Sequence, residues 1–254
     1  MMNEICFLSE DDKTYVNRTW SGNRSARLIH ADGKPFHTFR TPTVLVEGSH
    51  LNFQHCVFEN TAGTAEDVGQ AIALYLDGDD IRLSDCLIKG EQDTLFLAPL
   101  PEQELEKDGF LGPKEYTPRF DRTVRFERCR IEGSVDFVFG GATAYFEGCE
   151  FYSTAPGWVF APSTPAHVSQ GFIVRNCRFT AAPGVPEESC YLARPWRNYG
   201  MVSLEHCYLG AHIHPQGFDD WNKKEAHETM RFLETDSYGP GASYAHRPDY
   251  VQVR

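Results

Sequence analysis

A short pattern built around cysteine recurs six times along the chain and constrains the fold more than any other feature. The segments are LNFQHCVF, IRLSDCLI, VRFERCRI, AYFEGCEF, FIVRNCRF and VSLEHCYL. Apolar residues stand five and three positions before each cysteine and two positions after it. The alternation before the cysteine is typical of a β-strand, and two mostly polar residues then break the period and indicate a bend.

The spacing of these segments indicates a solenoid. Successive cysteines are 30, 43, 20, 28 and 30 residues apart, with short strands and no long helical pattern between them. Strand–bend–strand units predict an all-β, right-handed parallel β-helix whose equivalent residues stack about 4.8 Å apart. Six small buried thiols are then expected to form an internal ladder. They are Cys56, Cys86, Cys129, Cys149, Cys177 and Cys207. Cys6 and Cys190 lie outside the pattern and receive no interpretation.

The rest of the chain is expected to complete one β-helix domain over residues 1–254. Residues 98–122 are rich in proline, glycine and charge, and they predict a surface insertion of the kind that walls one side of a groove. Residues 212–254 lose the repeat and predict a C-terminal cap. The first coil would expose a strand edge, so either residues 1–42, as a shortened cap, or a second copy in a homo-oligomer is expected to cover it.

Composition narrows the function classes. The formal net charge is -12 and no basic patch is visible, which argues against nucleic acid as a partner. No run approaches the roughly 20 apolar residues that span a membrane. No CxxC pair occurs, which argues against a zinc ribbon. The start MMNEICFLSEDD lacks the features of a signal peptide, so a cytoplasmic location is expected, or secretion if a leader was removed.

Two similar phrases, GEQDTLF and GSVDFVF, each keep an aspartate in fourth place. Asp93 and Asp136 lie seven residues after Cys86 and Cys129, so neighbouring coils would bring the two carboxyls together. Like charges that close disfavour double ionisation, which provides an acid and a base at one pH. The alternative is a pair of solvated turn aspartates with no chemical role.

Nearby polar and aromatic residues favour the catalytic interpretation. The guanidinium of Arg194, in YLARPWRNYG, could clamp one carboxylate with two hydrogen bonds and keep it ionised. Trp196 could offer a flat face to a sugar ring. Gln92 precedes Asp93 and Gln70 lies about one coil earlier, and such amide donors suit a developing oxyanion. Each of these residues could equally serve an ordinary turn or surface contact.

Four motifs in this order, GQAIAL, GEQDTLF, GSVDFVFG and LARPWRNYG, resemble the pectin methylesterases, or pectinesterases. The resemblance runs from about residue 41 to the end of the chain. It implies a right-handed parallel β-helix, methyl-esterified pectin or oligogalacturonides as substrate, and neither a metal nor another cofactor. The chain resembles a short bacterial-type form that lacks the usual N-terminal stretch of the family.

The resemblance also implies a role for each matching residue. Asp136 would be the nucleophile that attacks the ester carbonyl, and Asp93 the general acid and then base. Gln92 and Gln70 would hold the oxyanion, and Arg194 would orient Asp136. Trp196 would stack on a sugar and Phe139 would line the groove. Phe160 looks bulkier than usual and is expected to narrow a subsite.

Other functions remain open from the sequence. One is another galacturonan-active β-helix enzyme, either a lyase with a calcium-binding acidic cluster or a glycoside hydrolase with a wider carboxylate pair. Another is a β-helix that binds carbohydrate without catalysis. The acidic net charge would repel polyanionic de-esterified pectin, so methylated and nearly neutral oligomers are the expected substrates.

Overall fold

The computed structural model describes residues 4–254, and most of its regular structure is strand. The first ten strands are β1 (Cys6–Leu8), β2 (Thr14–Val16), β3 (Thr19–Gly22), β4 (Val44–Val46), β5 (Asn52–Gln54), β6 (Val57–Asn60), β7 (Leu74–Leu76), β8 (Ile81–Ser84), β9 (Leu87–Lys89) and β10 (Leu95–Leu97). The others are β11 (Thr123–Glu127), β12 (Arg130–Gly140), β13 (Thr143–Glu147), β14 (Glu150–Pro162), β15 (Phe172–Arg175), β16 (Arg178–Ala181), β17 (Cys190–Ala193), β18 (Met201–Glu205), β19 (Tyr208–Leu209), β20 (Arg231–Thr235) and β21 (Val251–Val253).

Helical structure in the described residues is limited to single turns. They are α1 (Ala65–Val68) and three 3-10 turns, Thr38–Arg40, Lys224–Ala226 and Tyr244–His246. None of the helices in residues 4–254 is long and apolar enough to cross a lipid bilayer.

Parallel ladders stack the strands into three faces. Face 1 contains β1, β4, β7, β10, the last residues of β12 and β14, and β17. Face 2 is a sheet ordered β2-β5-β8-β11-β13-β15-β18-β20-β21. Face 3 contains β3, β6, β9, the first residues of β12 and β14, then β16 and β19. Each coil visits the faces in turn, so the parallel β-helix is confirmed.

A left-handed residue makes the corner between face 2 and face 3. The residue before each of the six ladder cysteines has a positive φ between 51° and 61°. These residues are His55, Asp85, Arg128, Gly148, Asn176 and His206. The N–H of each donates to the next coil, as from His55 to the Ser84 carbonyl oxygen at 3.1 Å. This corner explains why the alternation breaks just before the cysteine.

The predicted cysteine ladder is confirmed. Its six thiols are free, and each side chain is at most 2% exposed. The backbone N–H of Cys149 donates to the Cys177 sulfur at 3.2 Å, which links adjacent coils. Burial raises the pKa of Cys207 to about 11, and the neighbouring Cys129 thiol, then burial, raises that of Cys86 well above its ordinary value. Neutral buried thiols of this kind serve packing rather than chemistry.

Both ends of the chain differ from the expected caps. Residues 6–22 form a full first coil, because β1, β2 and β3 pair with β4, β5 and β6. Its strands are short and carry exposed side chains such as Phe7, so no apolar pattern revealed it. Within residues 212–254, β20 and β21 extend face 2.

Residues 1–3 lie outside the part of the chain that the structure describes. The division into a single domain and the homo-oligomer stay predictions.

The interior is filled by stacked aromatic and aliphatic side chains. Phe126 and Phe146 stack at 4.6 Å between ring centroids, and Phe151 and Phe179 at 5.0 Å. Phe160 is fully buried among them, 4.9 Å from Phe151. The expectation that Phe160 narrows a subsite is therefore wrong, since its side chain points inward from β14.

The ladder predicts a test of packing. The change Cys177→Ala removes a buried sulfur that contacts two coils, and we expect it to lower the free energy of unfolding by about 1 kcal/mol. Urea denaturation followed by circular dichroism measures this. Cys6→Ala is the matched control, because Cys6 is half-buried and lies outside the ladder. Equal effects of the two changes would contradict a packing role for the ladder.

Candidate active site

The two aspartates occupy equivalent corners of adjacent coils. Asp93 precedes β10 with φ 60°, and Asp136 lies within β12 with φ 49°. The pairing of β12 with β14 shifts register between Val135 and Val138, and the Asp93 N–H donates to the Val135 carbonyl oxygen at 3.0 Å. A bulge of this kind re-aims a side chain, and here Phe137 points into the core while Asp136 lines a cleft.

Arg194 engages one aspartate with both arms of its guanidinium. It follows β17, and its Nε and Nη2 donate to the two carboxylate oxygens of Asp136 at 2.8 Å and 2.6 Å. The side chain passes from β17 across β14 to β12, where the intervening cleft residue is the small Ala161. A two-point hydrogen bond fixes the orientation of the carboxylate as well as its charge.

Two tryptophans that the sequence analysis missed hold the guanidinium from either side. The Cζ atom of Arg194 lies 3.7 Å from the ring centroid of Trp158 and 3.7 Å from that of Trp221. Lys223 Nζ donates to the carbonyl oxygens of Pro195 and Trp196 at 2.8 Å and 3.0 Å, which anchors the segment that carries Trp221. These contacts keep the Arg194 plane fixed. No periodic signal marked either tryptophan, since both stand in positions that the repeat does not describe.

The structure places all seven predicted site residues around one cleft of about 400 Å³. They are Gln70, Gln92, Asp93, Asp136, Phe139, Arg194 and Trp196. The Gln92 carbonyl oxygen accepts the Ala71 N–H at 3.0 Å, which sets the two glutamines on adjacent coils. Phe139 is 3% exposed and packs edge-on against Trp196 at 5.7 Å, so it forms the floor of the cleft.

The electrostatic environment separates the two carboxyls. Burial raises the pKa of Asp93 well above its ordinary range and the negative charge of Asp136 adds to this, while Arg194 opposes both. Burial also raises the pKa of Asp136, but the hydrogen bonds and charge of Arg194 oppose that rise more directly. Asp136 therefore ionises first, and Asp93 holds its proton to higher pH.

The remaining charges in the cleft are mixed. Arg197 and Lys223 line it together with Glu106. Burial, then the neighbouring guanidinium groups of Arg197 and Arg194, lowers the pKa of Lys223 to about 8. The cleft thus carries positive charge beside Asp136 although the whole chain is acidic. The net charge of the chain therefore does not indicate whether the cleft attracts or repels an anionic ligand.

Comparison with known sequences agrees with the resemblance. The family model described as Pectinesterase matches residues 11–100 and 120–254. "Probable pectinesterase/pectinesterase inhibitor 21" from Arabidopsis thaliana is 28% identical over 100% of this chain and 34% of its own length. "Pectinesterase 31" from the same plant is 30% identical over 90% of this chain and 65% of its own length. The chain belongs to the pectinesterase family, and it spans between a third and two thirds of these two relatives.

Solved structures share the fold. "Pectin methylesterase PemA from Erwinia chrysanthemi" superposes with a TM-score of 0.77 at 23% identity, covering 99% of this chain and 81% of that one. "Pectin methylesterase from Carrot" superposes with a TM-score of 0.75 at 22% identity, covering 98% of this chain and 76% of that one. At this level of identity the likeness establishes the fold.

The raised pKa of Asp93 predicts how stability depends on pH. An unfolded aspartate ionises near 3.8, whereas folded Asp93 ionises only at higher pH. Stability is therefore lost as pH rises from the unfolded pKa to the folded one, by about 1.4 kcal/mol per pH unit. Asp93→Asn removes this loss, so the variant should gain stability relative to the wild type over the pH range above the unfolded pKa of 3.8.

Urea denaturation across that pH range measures the difference in unfolding free energy. The change Asp236→Asn, at a carboxyl whose side chain is 66% exposed, is the matched control. A difference between Asp93→Asn and the wild type that stays constant with pH would contradict the proposed protonation of Asp93.

Proposed function

We propose that this chain hydrolyses the methyl esters of galacturonate units in pectin or oligogalacturonides. The proposal rests on one observation. Arg194 donates two hydrogen bonds to the Asp136 carboxylate, while Asp93 lies buried on the adjacent coil with its pKa raised. This supplies a charged carboxylate and a protonated one in the same cleft. Membership of the pectinesterase family directs this chemistry to a methyl ester.

In the first step the Asp136 carboxylate would attack the carbonyl carbon of the ester. The side-chain amides of Gln70 and Gln92 would donate to the oxyanion that develops. As the bond between the carbonyl carbon and the methoxy oxygen breaks, Asp93 would give its proton to that oxygen, so methanol leaves as a neutral molecule. The product on the protein would be an anhydride between Asp136 and the galacturonate carboxyl.

In the second step the ionised Asp93 would take a proton from water as the water attacks the galacturonate carbonyl of the anhydride. The bond to Asp136 would break and release the Asp136 carboxylate and a galacturonic acid unit, whose carboxyl group then loses its proton to solvent. Asp93 would end protonated, and Asp136 would again be held by Arg194. Both aspartates thus return to their starting states, and the net reaction consumes one water for each methanol released.

The aromatic residues support a sugar as the ligand. Trp196 is half-buried at the cleft and rests on Phe139, so one face of the indole is held in place. Such surfaces suit the apolar face of a pyranose ring. A pectin methylesterase with the same fold is known in complex with a hexasaccharide, which supports a groove ligand of this class.

Removing either carboxylate should abolish turnover. We expect Asp136→Ala and Asp93→Ala each to lower the rate of methanol release from esterified pectin by about a thousandfold or more. Asp121→Ala is the control, because this carboxyl is 60% exposed and lies outside the cleft, where it pairs with the exposed His167. Wild-type turnover in folded Asp136→Ala would exclude Asp136 as nucleophile. Binding of methylated oligomers without any methanol from the wild type would instead indicate a carbohydrate-binding module.

The paired hydrogen bonds from Arg194 to Asp136 can be tested while the positive charge is kept. Arg194→Lys retains a cation but loses the paired donors and the plane between Trp158 and Trp221. We expect kcat for methanol release to fall about a hundredfold, because the nucleophile is no longer held in position. Arg175→Lys, at an exposed pair with Glu205, is the control. Equal kcat values for Arg194→Lys and the wild type would show that charge alone suffices.

A further inference from the structure

The cleft is lined by residues from several coils that are stacked along the axis of the β-helix. Gln70, Asp93, Asp136 and Arg194 come from the coils of β7, β10, β12 and β17, and they line it in that order. A ligand chain longer than the cleft would therefore extend along face 1, across its stacked strands. Along face 1 runs a row of five outward-facing residues in register, here called the floor, and its last two members line the cleft. The five residues are Leu45, Tyr75, Phe96, Phe139 and Ala161.

This floor is covered on the side of the first coils. Leu45, Tyr75 and Phe96 point away from the interior, yet each is at most 1% exposed. The ring of Phe39 lies 6.1 Å from Tyr75 and 5.0 Å from Phe96, measured between centroids. Phe110 lies 6.0 Å from Phe39 and completes the cover. Protein side chains thus occupy the surface on which further sugar units would rest.

Two irregular segments of the chain supply this cover. Phe39 belongs to the excursion that follows β3, and Phe110 belongs to the predicted insertion, residues 98–122. We use the name end wall for the part of both segments that lines the cleft. It comprises Thr38, Phe39, Leu105, Glu106, Gly109 and Phe110.

The two segments are joined to each other. Lys34 Nζ donates to the Asp108 carboxylate at 2.9 Å, which ties the excursion to the insertion. A Cβ on Gly112 would lie 2.5 Å from the Phe39 carbonyl oxygen, so the two backbones touch.

The insertion is also anchored to the β-helix. The Lys114 ammonium pairs with Glu47 at 2.7 Å and with Asp77 at 3.0 Å. From the other side, Arg197 Nη2 donates to the Gln103 carbonyl oxygen at 3.0 Å. Contacts on both sides make the end wall a fixed part of the cleft. The match to the family model skips residues 101–119, so this segment goes beyond what the model describes.

We propose that the end wall stops the groove on the side of the first coils, so that the protein de-esterifies units at or next to one end of a galacturonan chain. This inference rests on the proposed function. A polymer threaded through an open groove could place any of its units beside Asp136. If the groove is closed on one side, only a unit near a chain end reaches the carboxylates. Further sugar units on that side would collide with Phe39 and Phe110.

The chain-length dependence of the wild type tests this inference. The substrates are size-fractionated, highly methylated galacturonans, supplied at equal and subsaturating ester concentration. If only chain ends react, the initial rate of methanol release follows the number of chains, so that halving the mean length doubles the rate. Mass spectrometry of a partly digested methylated hexamer should show the first esters lost from the units at one end.

Removing side chains from the end wall should weaken the dependence of the methanol-release rate on chain length. The double change Phe39→Ala and Phe110→Ala is expected to raise the rate on long chains relative to the hexamer and to spread the positions of ester loss. Tyr116→Ala is the matched control, an aromatic change in the same insertion at a side chain that is 90% exposed and does not line the cleft. It should keep the wild-type dependence.

The results separate this inference from the proposed function. Methanol released from wild type at one rate per ester for every chain length, with losses scattered along the hexamer, would overturn the end wall and leave the esterase intact. Methanol from none of the substrates would overturn the esterase and the inference together. The wild-type series decides the question even if the double variant fails to fold.

Discussion

The parallel backbone ladder is the constraint on which the rest of this structure depends. It forces each coil to repeat its neighbour at one strand spacing, so residues at equivalent positions form columns along the axis. The thiol column, the left-handed corners and the floor of the cleft are all consequences. A chain folded this way brings residues more than forty positions apart, such as Asp93 and Asp136, into one small space.

The same ladder creates an electrostatic problem that the cleft resolves. Two carboxyls on stacked corners cannot both ionise at low cost away from water. Arg194 makes the two carboxyls unequal, because it donates two hydrogen bonds to Asp136 but acts on Asp93 only through its charge. Trp158 and Trp221 then hold the guanidinium plane. The difference between acid and nucleophile in the proposed mechanism thus arises from one asymmetric contact.

Chain segments outside the repeat determine which residues of these stacked columns are exposed to solvent. An uncovered row of Leu45, Tyr75 and Phe96 would form an apolar stripe on the outer surface of face 1. Phe39 and Phe110 bury that stripe and at the same time limit the cleft. Stability and ligand access are therefore coupled here, because the residues that cover the apolar floor also set the length of the groove.

Local periodicity by itself determined the coils, the thiol ladder and the register that pairs Asp93 with Asp136, since each depends on regular spacing along the chain. It missed the first coil, whose short edge strands carry too few buried residues to show a pattern. Only the tertiary structure placed Trp158 and Trp221 around Arg194 and closed Phe39 onto Phe110. These residues belong to bends and excursions whose paths follow long-range packing, and no spacing along the sequence encodes such contacts.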